Sequence, residues 1–224
     1  MKRTSSALLI IVLCVLSLAS PTAISRERAQ APKGKAVNSY REGQGGVRPA
    51  WVESAFRRSI THLAQHGKAL GLANPEAEVA LAGADRDALG MTHVRLDQVF
   101  QGVPVFGGQL LIHMDEKSVR DLVSGRVYGS VRGVNTKPRI NATEAIEAAK
   151  STLGHKGRFT KSPAARLVLL PHQVKDRRGS DDGATLVYLV ELLIIDGTAN
   201  TAHHYYFVDA GDGRIVWHYN NLQQ

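Results

Sequence analysis

The sequence predicts an α+β fold built from two small domains, each a helix packed on an antiparallel β-sheet. Three observations carry that expectation. An amphipathic stretch beginning at Ala50 gives way to β-favouring runs separated by glycines, and the same order returns after Asn141. The chain has 224 residues of which 43% are apolar, enough for a substantial core. No repeat of solenoid period interrupts the pattern.

The first 25 residues stand apart. Lys2 and Arg3 lead, Ala7 to Leu18 is apolar but for Ser17, and small residues follow through Ala23 and Ser25. This is the layout of a secretory signal peptide, which predicts an extracellular or periplasmic protein. This run of twelve residues spans only about 18 Å as a helix, short of a hydrocarbon core of roughly 30 Å, so no stable membrane anchor is expected. The single cysteine, Cys14, lies inside this run. The remainder carries no thiol, which excludes disulfides, thiol catalysis and cysteine-zinc sites.

Net charge is +8, and it is unevenly placed. Arg26 to Arg48 holds six basic and two acidic residues, whereas Pro49 onward is nearly balanced, with 20 basic against 18 acidic. No basic face with stacking aromatics is visible, so nucleic acid is not an expected partner. The 26–48 segment mixes glycine, proline, glutamine and charge with few large apolar residues and reads as a flexible leader.

Val52, Phe56, Ile60 and Leu63 form one stripe of the first helix. Pro75 opens a short helical or turn segment, and the glycines and acids up to Gly90 suggest broken structure. From Thr92, Val94, Leu96, Val99, Val103, Val105, Leu110 and Ile112 lie in strands with breaks at Gly102 and Gly107-Gly108. Pro104 lacks a ladder donor, which places it on an edge or at a bulge. A third strand is expected around 121–131.

Asn141 with Glu144 forms a capping box and Gly154 a stop, defining the second helix. Asn141-Ala142-Thr143 also matches a glycosylation sequon. Four antiparallel strands follow, the last pair joined through Asp209 to Gly213, with Gly213 at positive φ. Phe207 and Trp217 are expected to bury against the helix around Ile146. The domains are placed at 49–133 and 134–224, with the boundary near Arg132 to Pro138.

Candidate chemistry is thin. His62 and His66 are four apart, but Leu63 stands where the H-E-x-x-H base would be. His203 and His204 are strand neighbours and point to opposite faces. The Asp209 to Gly213 loop lacks the ligand count of an EF-hand. No G-x-S-x-G elbow marks a nucleophile. No catalytic residue, metal or cofactor is expected.

One run is more telling. His93, Arg95, Gln98, Gly102, Val103, Pro104, Val105, Gly107, Gly108, His113 and Asp115 resemble the fungalysin/thermolysin propeptide (FTP) motif: histidine, arginine and glutamine, then G-V-P-V, G-G and a closing H-x-D. Downstream, "INATEAIEAAKSTLG", "LVYLVELLI" and "YYFVDAGDGRIVWHYNN" are similar to a PepSY domain, which is cystatin-like, including Asp209 and Gly213 in its V-D-A-x-x-G-x-I ending. Together the two resemblances cover about Trp51 to Asn221. The chain departs from the motif after Asp115, where "EKSV" replaces a glycine turn, and no zinc protease domain follows within these residues.

The resemblance implies a pro-region that assists folding of a secreted zinc metalloprotease and blocks its cleft. It suggests that His218, Tyr219, Asn220, Asn221 and Leu222, in the tail from His218 to Gln224, lie in that cleft as an added strand. Two alternatives accompany this reading: a truncated precursor whose catalytic half is missing, and a secreted binding module with an unrelated partner.

Overall fold

The computed structural model describes residues 38–43, 47–115, 122–175, 183–198 and 201–222. The expected signal peptide, residues 1–25, lies outside them, as do Gln223 and Gln224. No described helix is long and apolar enough to cross a membrane.

Among the described residues, nine strands form one sheet. In chain order the elements are β1 (Asn38–Arg41), α1 (Ala50–His66), α2 (Pro75–Glu78), β2 (Val79–Arg86), β3 (Thr92–Phe100), β4 (Val103–Met114), β5 (Leu122–Arg126), α3 (Ala142–Leu153), β6 (Ala164–Pro171), α4 (His172–Lys175), β7 (Ala184–Ile194), β8 (Ala202–Asp209) and β9 (Ile215–Asn220). Strand order is β1-β2-β3-β4-β6-β7-β8-β9, with β5 also on β4. The fold is α+β, as the alternation of patterns predicts. The two halves meet edge to edge: β4 carries β5 along one part of its second edge and β6 along another, through the single parallel pair Val105 and Leu169.

Two strands arise where the sequence suggests none. Residues 79–86 were expected to be broken structure, yet Val79, Leu81 and Ala84 are buried against α1, and β2 absorbs its small residues with a register shift between Leu81 and Gly83. A bulge lets a Gly-containing strand keep its apolar side inward. Residues 38–41, expected to be flexible leader, add β1 to the edge of β2. Tyr40 packs on the first core, and Asp85 accepts hydrogen bonds from Ser39 Oγ at 2.7 Å and Arg41 Nη1 at 3.0 Å. Those partners lie 44 and 46 residues away in sequence, so local composition does not reveal them.

α1 buries Val52, Ala55, Ser59 and Leu63. This face is rotated from the expected stripe, and Phe56 and Ile60 sit half-buried at its flank. Ser59 tolerates full burial because its hydroxyl donates to the Ala55 carbonyl at 2.9 Å.

α3 begins with the expected capping box: Asn141 Oδ1 accepts from the Thr143 and Glu144 amides, and Glu144 Oε2 accepts from the Asn141 amide at 2.7 Å. It ends at Gly154, φ +68. Its Ala145 and Ala149 pack on Tyr188, Val190, Tyr206 and Val208. Strand alternation then sends Phe207 to the other side of the sheet. The expected packing of Phe207 and Trp217 on this helix is therefore incorrect. Phe207 instead joins Val168, Leu170, Val187 and Leu189, with Phe106 and Trp217 packed at its ring. Centroids lie at 4.9 Å for the edge-on Phe106 and 4.8 Å for the stacked Trp217.

Candidate functional site

The G-V-P-V and G-G residues of the motif build the β3–β4 hairpin. Phe100 pairs with Val103, so Gln101 (φ 51) and Gly102 (φ 80) form a two-residue turn with both φ angles positive, the geometry that best matches strand twist. Pro104 pairs with Val99 immediately beyond a register shift, which is where a residue without an N–H is tolerated.

Gln98 is buried and reaches across to the chain leaving β5. Its Nε2 donates to the Tyr128 carbonyl at 2.9 Å, and its Oε1 accepts from the Tyr128 amide at 2.8 Å. Gly108 makes room for it: a Cβ there would sit 2.6 Å from Gln98 Oε1. Tyr128 belongs to the core that packs on α3, so this amide ties the first hairpin to the second half.

The polar residues share the outer face of β3 and β4. Arg95 Nη1 meets Asp85 Oδ2 at 2.6 Å, completing a ladder from Ser39 and Arg41 through Asp85. Burial opposes ionisation of Asp85, but the Ser39, Arg41 and Arg95 hydrogen bonds outweigh it and hold the carboxyl down at about 2. His93 stands opposite His113 in register, with Nδ1 atoms 2.7 Å apart, and its Nε2 lies 3.1 Å from Asp87 Oδ2. The His93 hydrogen bond lowers the Asp87 pKa, and burial followed by the His93 charge lowers that of His113. Asp115 follows this rung, and its carbonyl accepts from Arg58 Nη2 at 3.4 Å. Asp85 and Asp87 are the site residues that sequence reasoning missed. They lie in "ADRD", and only recognising β2 as a strand would have aimed them at His93 and Arg95.

At the other end of the sheet, the residues assigned to the tail are mostly strand. His218, Tyr219 and Asn220 belong to β9, opposite Tyr206, Tyr205 and His204. Asn221 N still donates to the His203 carbonyl at 2.8 Å, and Asn220 Oδ1 accepts from the His203 and Leu222 amides. β9 ends the strand order, leaving its outer backbone edge without a strand partner among the described residues. Leu222 is 37% exposed beside it. Tyr219 stacks on Tyr205 and His218 on Tyr206. Burial raises the pKa of all three tyrosines.

His203 and His204 do face opposite ways. His203 Nε2 contacts Glu191 Oε1 at 2.9 Å, while His204 Nδ1 is buried with no hydrogen-bond partner among the described residues. Asp209 and Gly213 close a tight turn, with the Gly213 amide on the Asp209 carbonyl at 2.9 Å and Gly213 at φ +79. His62 and His66 contact each other at a ring separation of 4.7 Å. Among the described residues no group of three or more histidine, cysteine or acidic side chains is arranged to hold a metal.

Comparison with known proteins matches residues 80–127 to the Fungalysin/Thermolysin Propeptide Motif. The chain is 28% identical over 137 residues to a bacillolysin of Brevibacillus brevis, covering 58% of this chain and 24% of that protein. It is 26% identical over 176 residues to neutral protease B of Bacillus subtilis, covering 77% and 30%. With a thermolysin of Alicyclobacillus acidocaldarius it shares 29% identity over 157 residues, covering 65% and 26%. Among solved structures, the YpeB C-terminal domain of Bacillus megaterium aligns over 80% of this chain and 68% of that one, at 16% identity and a TM-score of 0.33. The chain thus spans between about a quarter and a third of the length of these three relatives. Residues 80–127 therefore match the Fungalysin/Thermolysin Propeptide Motif, within a chain that is similar to a bacillolysin and a thermolysin over part of their length.

Proposed function

We propose that this protein is a secreted pro-region, non-catalytic itself, that binds a thermolysin-type zinc metalloprotease, assists its folding and holds it inactive. The observation that carries the reading is the propeptide motif over residues 80–127. A preformed sheet that binds the native enzyme and not its unfolded chain stabilises the enzyme by mass action. The halves 49–133 and 134–224 act together, because a specific interface needs on the order of 1,600 Å² and no short tail supplies it. The open edge of β9 with Asn221 and Leu222 offers the strand that enters the cleft, and His218, Tyr219 and Asn220 hold that edge in place. No cofactor, nucleic acid or membrane anchor enters this function.

The limited share of each relative that is matched favours a second reading, in which the same module works in cis as part of a longer precursor. DNA that continues in frame past Gln224 and encodes H-E-x-x-H favours the cis form.

Titrating the purified protein against a thermolysin-type enzyme, and refolding the denatured enzyme in its presence, tests the function. Inhibition together with a higher refolding yield is expected. A version ending at Asn221 keeps all of β9 and loses Leu222, so weaker inhibition by it supports the cleft-strand role, and equal inhibition removes that role alone. Absence of both inhibition and refolding assistance across several such enzymes overturns the reading in favour of a binding module with another partner. Zinc-dependent peptide cleavage by the protein itself overturns it too.

A further inference from the structure

The cross-strand histidines and Asp87 form a proton chain whose logic follows from donor and acceptor counts. An ionised carboxylate only accepts, so His93 Nε2, 3.1 Å from Asp87 Oδ2, must carry a hydrogen. In the neutral imidazole that leaves His93 Nδ1 as an acceptor. Its neighbour at 2.7 Å, His113 Nδ1, must then be the donor. Both rings are neutral in this state and every contact is satisfied. One more proton adds at His113 Nε2 without breaking anything. A second can only go to His93 Nδ1, where two N–H groups would face each other at 2.7 Å.

The chain is mechanically attached. Asp87 Oδ1 accepts from the Leu89 and Met91 amides at 2.9 Å each, so the carboxylate that orients His93 also pins the turn between β2 and β3. The Asp87 and His93 side chains are 17% and 23% exposed. We propose that Asp87, His93 and His113 are a proton-operated latch between β3 and β4, closed while the pair holds at most one added proton and, when it holds two, open between the two imidazoles while Asp87 keeps both His93 and the 87–91 turn.

The surroundings favour a sharp response. Asp85 lies opposite His93 in register but is engaged by Ser39, Arg41 and Arg95. Arg95 is the next residue on the same face of β3. Leu122 of β5 stands opposite His113 and adds no charge. From α1, Arg58 reaches the Asp115 carbonyl two residues beyond His113. Among the described residues, Asp87 is thus the carboxylate that directly balances the pair. His113 has a folded pKa below its ordinary value, so the unfolded chain binds the proton more readily. The associated stability is present above about pH 6.5 and is lost as the pH falls through the folded value.

Nitrogen-edited NMR of the whole protein between pH 8 and pH 4 tests this without a partner, so its outcome is independent of the protease reading. At pH 8, His93 should carry its hydrogen on Nε2 and His113 on Nδ1. The two rings should titrate in separate, coupled steps, and the exchange protection of the β3–β4 ladder amides beside the pair should fall at least tenfold across the lower one, while that of the Leu89 and Met91 amides persists. In His113→Asn, whose amide donates in place of Nδ1 and does not titrate, that fall should disappear. Independent single-step titration of the two rings in the wild-type protein overturns the proposal, and that measurement stands even if the variant does not fold. A loss of protection that is the same in His113→Asn overturns it as well.

Discussion

Gln98 satisfies both backbone polar groups of Tyr128 with one side chain, accepting from its amide at 2.8 Å and donating to its carbonyl at 2.9 Å, 30 residues away. It behaves as a detachable piece of β-ladder linking β3 to a chain that has left the sheet. Removing it strands two buried main-chain groups, each costing about 1–3 kcal/mol. Gln98→Ala is therefore expected to lower stability by roughly 2–5 kcal/mol in urea titration, and Gln98→Glu by no less, because the amide donor is lost and a charge is buried.

Gly108 and Gly213 separate two reasons for glycine. At Gly108 an added Cβ would meet Gln98 Oε1 at 2.6 Å and Gln98 Cβ at 2.8 Å, so Gly108→Ala displaces the clamp and should cost about 1–3 kcal/mol. At Gly213 the cost comes from φ +79, with only Ile140 Cδ1 nearby at 3.8 Å, and Gly213→Ala should cost about 1–2 kcal/mol. The double-mutant cycle distinguishes them. Gly108→Ala with Gln98→Ala should be less than additive, whereas Gly213→Ala with Gln98→Ala should add within about 0.5 kcal/mol.

The aromatic face below α3 supplies a prediction that the sequence alone would have assigned to the wrong layer. Phe207 is fully buried between Phe106 and Trp217, away from the helix. Phe207→Ala should cost about 3–5 kcal/mol. The indole fluorescence of Trp217 should change while the helical far-ultraviolet signal of α3 persists in the fraction that stays folded. Disruption of α3 packing by this substitution, measured by amide exchange at Ala145 and Ala149, would contradict the assignment of Phe207 to the face opposite α3.

These cases show what was legible in advance. The caps of α3 and the Gln101-Gly102 and Asp209 to Gly213 turns rest on contacts within a few residues, and the four strands after α3 carry their own β-favouring runs, so local pattern captures them. β1 and β2 escape because their support is distant: Asp85 is held from Ser39, Arg41 and Arg95, and Gly83 lies so close to the Tyr40 carbonyl that a Cβ would sit 2.7 Å from it. The face of Phe207 escapes for a different reason. Period-two alternation tells which residues share a side, and not which side the helix takes. The motif histidines were visible as residues, while their partner Asp87 required the turn that only the folded sheet creates.

Asp85 gives a pH response distinct from that of the histidine pair. Its folded pKa, about 2, lies below the ordinary aspartate value of 3.8, so the unfolded chain takes up protons first as the solution is acidified. The stability it contributes is complete at neutral pH and is lost between about pH 4 and pH 2. Because the Arg41 and Arg95 side chains are 40% and 36% exposed, solvent screens part of that attraction, and about 1–2 kcal/mol is expected rather than the full linkage value. Asp85→Asn should lower stability by that amount at pH 7 and by little at pH 2, where the unfolded carboxyl is almost wholly protonated and the folded one about half so. It should also loosen β1, whose Ser39 and Arg41 lose a charged acceptor, so amide protection at Tyr40 should fall more than at Leu96. A constant difference between the two proteins from pH 7 to pH 2 would show that the ladder through Asp85 is not electrostatic.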